Sequence, residues 1–329
     1  MPIYEDRSNL MVYADDGGEL QPVRTADDWR IRRAHIIENM QRAMGEHPER
    51  DPSLPLEVEV LAEERGDGWL RRTITFVAEP GDRVPAHLFI PDEPTGAGVL
   101  CLHQTTEIGK DEPAGLGGKP NLHYARELAE HGLVTLAPDY PGYGDYDADP
   151  YWMGYASASM KGIVNHERGV DLLASLDEVE PERIGCIGHS LGGHNTLFVA
   201  AFDERIRAAV SSCGFGSFYR YQGGYLKGWS HDGYMPRIAT EYHRDPAQMP
   251  FDFTEILGAM APRHVFINAP VADSFTLESV TDCLEAAHPV YALLDATDRI
   301  VAAHPDCGHD FPAEVREEAY SFIGDALAL

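Results

Sequence analysis

The sequence predicts an α/β fold: a mostly parallel, doubly wound sheet with antiparallel strands at its amino-terminal edge and an inserted cap. From residue 98 onward, short and continuously apolar runs alternate with segments of helical periodicity, as parallel strands buried on both faces require. Before them, three β-rich runs are separated by the turn sequences Gly66-Asp67-Gly68 and Pro80-Gly81-Asp82. One stretch, 214–261, is too long for a single crossover and breaks the alternation. All of 1–329 reads as a single domain, with a helical extension over 1–55, antiparallel edge strands over 56–97 and a cap over 214–261.

In chain order, the first element is a helix capped by Thr25, with Asp28 three positions on. Trp29, Ile36, Ile37, Met40 and Met44 then share one face, and Gly45 is placed to end it. A proline-rich link over 48–55 leads to edge strands at 56–64, 70–78 and 84–90. The parallel strands are expected at 98–103, 133–137, 184–188, 206–212, 264–268 and 300–303. Helices are expected between and after them at 121–131, 162–176, 191–201, 277–287 and 313–327, giving right-handed βαβ units. The cap is rich in aromatic residues, among them Phe215, Phe218, Trp229 and Tyr234.

Composition narrows the function classes. With 26 basic and 54 acidic residues the net charge is −28, a field that repels polyanions, so nucleic acid is not an expected partner. No run approaches the roughly eighteen uninterrupted apolar residues of a membrane span. The first residues carry Glu5, Asp6 and Arg7 and no apolar h-region, so a cytoplasmic enzyme is expected. Five cysteines without a CxxC spacing suggest neither a disulfide framework nor zinc. The histidines form no HExxH pattern, and no metal or cofactor is expected. Oligomeric state is left open, a homo-oligomer included.

The chemistry is carried by Gly188-His189-Ser190-Leu191-Gly192. This G-x-S-x-G lies between an apolar strand and a helix, where the glycines let the chain reverse and present the serine hydroxyl at the carboxyl edge of the sheet. A serine hydroxyl needs a base, and the base needs an orienting group. With such an elbow the partners follow in the order serine, acid, histidine. His309 lies just before the last helix and is read as the base. Asp273 alone directly follows the strand 264–268 and is read as the acid, with Asp298 in reserve among Asp295, Asp298, Asp306 and Asp310. His189 and His194 flank the nucleophile and read as packing residues or as supports behind the reacting groups. Oxyanion donors are expected from the Leu191 NH and from Gln104 or Thr105, in the loop after the first parallel strand. Trp152, Tyr155, Trp229 and Tyr234 are read as substrate-contacting aromatics.

These motifs resemble a known family. The loop His103-Gln104-Thr105, the turn Leu136-Ala137-Pro138-Asp139-Tyr140-Pro141-Gly142-Tyr143-Gly144, the elbow at Ser190 and Asp306-Cys307-Gly308-His309-Asp310-Phe311-Pro312 are similar to the dienelactone-hydrolase and acetyl-xylan-esterase branch of the α/β hydrolases. The likeness runs from about Val84 to the end and implies an α/β-hydrolase fold and a serine carboxylesterase without a cofactor, acting on a small-molecule ester. Dienelactone hydrolases proper carry a cysteine at the elbow, whereas Ser190 favours ordinary esters. The elbow and the stretch 257–263 also resemble glucuronoyl esterases, which place an arginine directly after the nucleophile. Leu191 stands there, so that substrate is discounted. Two other readings stay open: an amidase or peptidase on the same triad, and a hydrolase-fold binding protein without catalysis.

Overall fold

Apolar runs form strands close to where their texture places them, and the departures have local causes. The computed structural model describes residues 2–51 and 53–329; Met1, and Pro52 within the proline-rich link, lie outside the described residues. The amino-terminal elements are β1 (Val12–Ala14), β2 (Leu20–Pro22) and α1 (Ala26–Met44). Next come β3 (Glu59–Arg65), β4 (Trp69–Glu79), β5 (Asp82–Pro91), β6 (Gly96–Leu102), α2 (Tyr124–Glu130) and β7 (Val134–Pro138). The middle of the chain forms α3 (Ala158–Ala174), β8 (Val179–His189), α4 (Leu191–Phe202) and β9 (Ile206–Ser212). The last elements are α5 (Arg237–Thr240), α6 (Phe253–Ala259), β10 (His264–Asn268), α7 (Leu277–Leu293), β11 (Ile300–Ala303) and α8 (Ala313–Ala326).

The chain divides into two units. One holds residues 48–149, 161–214 and 310–329. Its strands lie in the order β9-β8-β6-β7-β5-β4-β3. From β9 to β7 they run parallel; β5, β4 and β3 are antiparallel, as the turn sequences predict. Helix α4 is buried almost throughout, which explains its continuously apolar composition. Strand β8 starts five residues before its apolar run, over a polar, largely exposed stretch that alternation alone does not reveal.

The other unit holds residues 1–47, 150–160 and 215–309. Helix α1 carries the expected capping box: the Asp28 NH donates to Thr25 Oγ1 (3.2 Å) and the Thr25 NH to Asp28 Oδ2 (3.0 Å). Its buried face also includes a charge, because Arg32 pairs with Glu255 at 2.6 Å, both side chains fully enclosed. The Arg32 guanidinium lies 3.4 Å from the centre of the Tyr4 ring. Helix α6, within the stretch read as a cap, therefore anchors the amino-terminal helix in the same unit. Strands β10 and β11 pair in parallel. Helix α7 runs past Ala287, through Pro289, to Leu293; a proline at that point reads as a stop in sequence. Among the described residues no helix is long and apolar enough to cross a membrane.

Candidate active site

The elbow is built by close approach. Ser190 has φ 55° and ψ −114° and caps α4 directly after β8. A positive φ is costly for a residue with a Cβ, so the surroundings must impose it. A Cβ on Gly188 would lie 2.3 Å from the Gly192 carbonyl carbon, and one on Gly192 only 1.9 Å from the Leu102 carbonyl oxygen. On the far side the Ser190 NH donates to the Ser212 carbonyl (2.8 Å), fixing the elbow to the end of β9. The first NH groups of α4 have no carbonyl a turn earlier, so the helix presents donors and its positive end beside Ser190. His189 is buried, with Nδ1 2.9 Å from Ser212 Oγ, which agrees with the packing role expected of it.

The loop after β6 runs alongside. Leu102 and His103 both bring carbonyl oxygens against Gly192. His103 Nε2 accepts the Tyr140 NH (2.9 Å). A backbone NH can only donate, so the ring proton sits on Nδ1, which donates to the Gln104 carbonyl at 2.6 Å. Burial holds this imidazole below its ordinary pKa, which keeps it neutral. The turn after β7 is fixed by buried Asp139. Its Oδ1 accepts the Lys110 NH (2.7 Å), and its Oδ2 accepts Lys110 Nζ and the Asp145 NH, both at 3.0 Å. Cβ atoms on Gly109 or Gly144 would each lie 2.1 Å from Asp139 Oδ1, which explains the glycines there.

In the other unit, the loops after β10 and β11 are joined by backbone bonds: Ala269 NH to Ala303 (2.9 Å), Val271 NH to Pro305 (3.0 Å) and Ala272 NH to Cys307 (3.1 Å). This register brings Asp273 to His309. His309 Nδ1 lies 2.9 and 3.2 Å from the two carboxylate oxygens. Asp273 Oδ1 also accepts from Ser274 Oγ (3.1 Å) and the Phe275 NH (3.3 Å). The carboxylate is enclosed, with 1% of its side chain exposed against 34% for His309. A carboxylate accepts only, so Nδ1 bears the proton and Nε2 has the lone pair of a base. Asp298, the reserve acid, lies instead in a 3-10 turn before β11.

The aromatics separate by exposure. Trp229 is 2% exposed, enclosed by Phe218, Tyr221, Tyr234, Phe253 and Phe275. This corrects its reading as a substrate contact: a ring so surrounded is a core residue. Tyr234 is half-buried, and its carbonyl accepts the Ser159 NH (3.3 Å). Tyr155 is half-buried on the turn that begins at Pro150, and Trp152 on the same turn is 89% exposed. The sequence reading missed the ties of Asp139 and His103; the signal was the glycine pattern around Asp139, which marks close backbone approach.

The comparisons agree with this architecture. Residues 84–222 match the model of the dienelactone hydrolase family, and residues 155–295 match that of the fungal glucuronyl esterases. YtaP of Bacillus subtilis (strain 168), described as a hydrolase, is 26% identical over 88% of this chain and 98% of its own. Among solved structures, a glucuronoyl esterase from Solibacter usitatus superposes with a TM-score of 0.70 at 18% identity, over 99% of this chain and 98% of that one. Acetyl xylan esterase 1 from Thermoanaerobacterium sp. JW/SL YS485 gives 0.60 at 16% identity, covering 89% and 93%. The fold is that of the α/β hydrolases. The chain is an enzyme acting on ester bonds, similar over residues 84–222 to the dienelactone hydrolase family.

Proposed function

We propose that this enzyme is a serine carboxylesterase for small-molecule esters, with Ser190 as nucleophile, His309 as base and Asp273 as the acid that orients it. Ser190 attacks the ester carbonyl as His309 Nε2 takes its proton; the imidazolium then protonates the departing alcohol, leaving an acyl-enzyme. Water activated by His309 releases the acid. Asp273 holds the imidazole as the Nδ1–H tautomer and stabilises its cation. The NH groups of Leu191 and of Gln104 or Thr105 receive the oxyanion. The observation that carries this reading is the backbone of Ser190, held at positive φ between β8 and the start of a buried helix, as a nucleophile elbow requires.

Leu191 is fully buried and apolar, so it offers no cation to a uronoyl carboxylate. This favours uncharged acyl groups. Trp152 and Tyr155 are the aromatic contacts this reading keeps for substrate. A cytoplasmic setting is part of the same proposal. The test is Ser190→Ala: hydrolysis of a p-nitrophenyl ester and labelling by a fluorophosphonate should both vanish while the thermal midpoint stays near that of the parent. Turnover retained in the variant contradicts the proposal.

A further inference from the structure

Gln104 is held at both ends. Its carbonyl accepts from neutral His103, and across a trans peptide the Thr105 NH points the opposite way. Its side-chain Nε2 donates to Glu112 Oε1 at 3.0 Å. That same oxygen accepts the Lys119 NH at 3.0 Å, so its position is fixed by backbone. The chain passes close enough only because residue 118 is glycine at φ +70°: a Cβ there would lie 2.2 Å from Oε1. Glu112 is itself 2% exposed, and its Oε2 has no hydrogen-bond partner among the described residues.

A buried carboxylate with one oxygen unsatisfied is a poor stabiliser, and an amide would serve a purely structural tie at lower cost. What the carboxylate does is hold the Gln104 amide as a charge-assisted acceptor, stronger than a neutral one. Gln104 begins the stretch whose preceding carbonyls press on Gly192, the second residue of α4. We infer that Glu112 is a positioning residue: by gripping the Gln104 side chain it sets the Gln104–Thr105 peptide beside the first NH groups of α4, where negative charge develops on the substrate oxygen. The inference rests on the proposed oxyanion role of that peptide.

Steady-state kinetics on a p-nitrophenyl ester, normalised to sites titrated by a fluorophosphonate, test it and discount misfolded molecules. Glu112→Ala should lower kcat about 10- to 100-fold with KM within about twofold, because misaligned oxyanion donors weaken binding of the transition state and not of the ester. Glu112→Gln should recover part of kcat, since its Oε1 still accepts from Gln104 and Lys119 but without the charge. Gln104→Ala should match Glu112→Ala, and the double variant should be no slower than either. Unchanged kcat in Glu112→Ala, full additivity in the double variant, or a Gln variant as slow as the Ala variant each overturns the inference. If the parent fails to label at Ser190, the serine mechanism itself falls, and the two failures are thereby told apart.

Discussion

At Ser190 the fold stores strain, and the neighbouring glycines are what allow it. A methyl on Gly192 would sit 1.9 Å from a strand carbonyl, which cannot swing aside as a side-chain tip would. Gly192→Ala should therefore destabilise the protein by about 1–3 kcal/mol through overpacking. It should also lose more activity than its lowered thermal midpoint explains. A variant as stable and active as the parent would show that the elbow does not pack on β6 as described. At the acid, Asp273→Asn keeps shape but replaces a pure acceptor with a group that can donate to His309 Nδ1, favouring the tautomer with its proton on Nε2. We expect kcat to fall about 10⁴-fold with the fold intact, the loss that such a tautomer reversal causes in a serine-protease triad. Near-normal turnover in Asp273→Asn would remove Asp273 from the mechanism. The roles proposed for both residues rest on chain order and strand ends, which constrain a triad. Glu112 was not legible in the sequence, because its partner is set by an irregular excursion with no period to follow.

Helix α6 shows what element-level reading misses. Seven residues long and wholly buried, it presents no amphipathic face for a periodicity search to find. Its cap is Asp252, whose Oδ1 accepts from the NH groups of Phe218 (2.9 Å) and Phe253 (2.6 Å). Burial raises this carboxyl to about 7. The unfolded chain releases the same proton near 3.8, so over that interval folding takes up a proton. The associated stability is fully present below about pH 4 and is lost as pH rises through about 7. An asparagine can still accept both NH groups without carrying charge. Asp252→Asn should thus raise the thermal midpoint at pH 8, by up to a few kcal/mol in stability, and the two proteins should converge near pH 4. A parallel offset across the whole range would show that Asp252 does not titrate between these limits. By contrast, α1 was legible because its capping box and stop glycine are local signals. Strand β8 was legible only from Ile184 on, where burial gives it an apolar texture.

For the molecule as a whole, the alternation of apolar strands and helices was enough to identify the architecture, because parallel strands buried on both faces leave few other arrangements. How the amino-terminal helix shares a unit with residues 215–309 was not legible, since that depends on long-range contacts such as Arg32 with Glu255 and Arg33 with the Ala259 carbonyl. Charge is also a property at this scale. Many basic side chains already have acidic partners, as in Arg316 with Glu127, Arg205 with Asp203 and Lys161 with Glu79. The 54 acids exceed the 26 bases, so a surplus of 28 carboxylates repel one another across the surface. Salt acts on both populations. Exposed pairs contribute only about 0–1 kcal/mol each, and enclosed pairs such as Arg32 with Glu255 are little screened, so their loss is small. The surplus repulsion acts over longer distances through solvent, where a Debye length falling from about 20 Å to about 6 Å removes most of it. Raising NaCl from about 20 mM to about 300 mM at pH 7.5 should therefore raise the thermal midpoint. A lower midpoint in salt would mean that attraction within the ion pairs outweighs the repulsion of the unpaired acids.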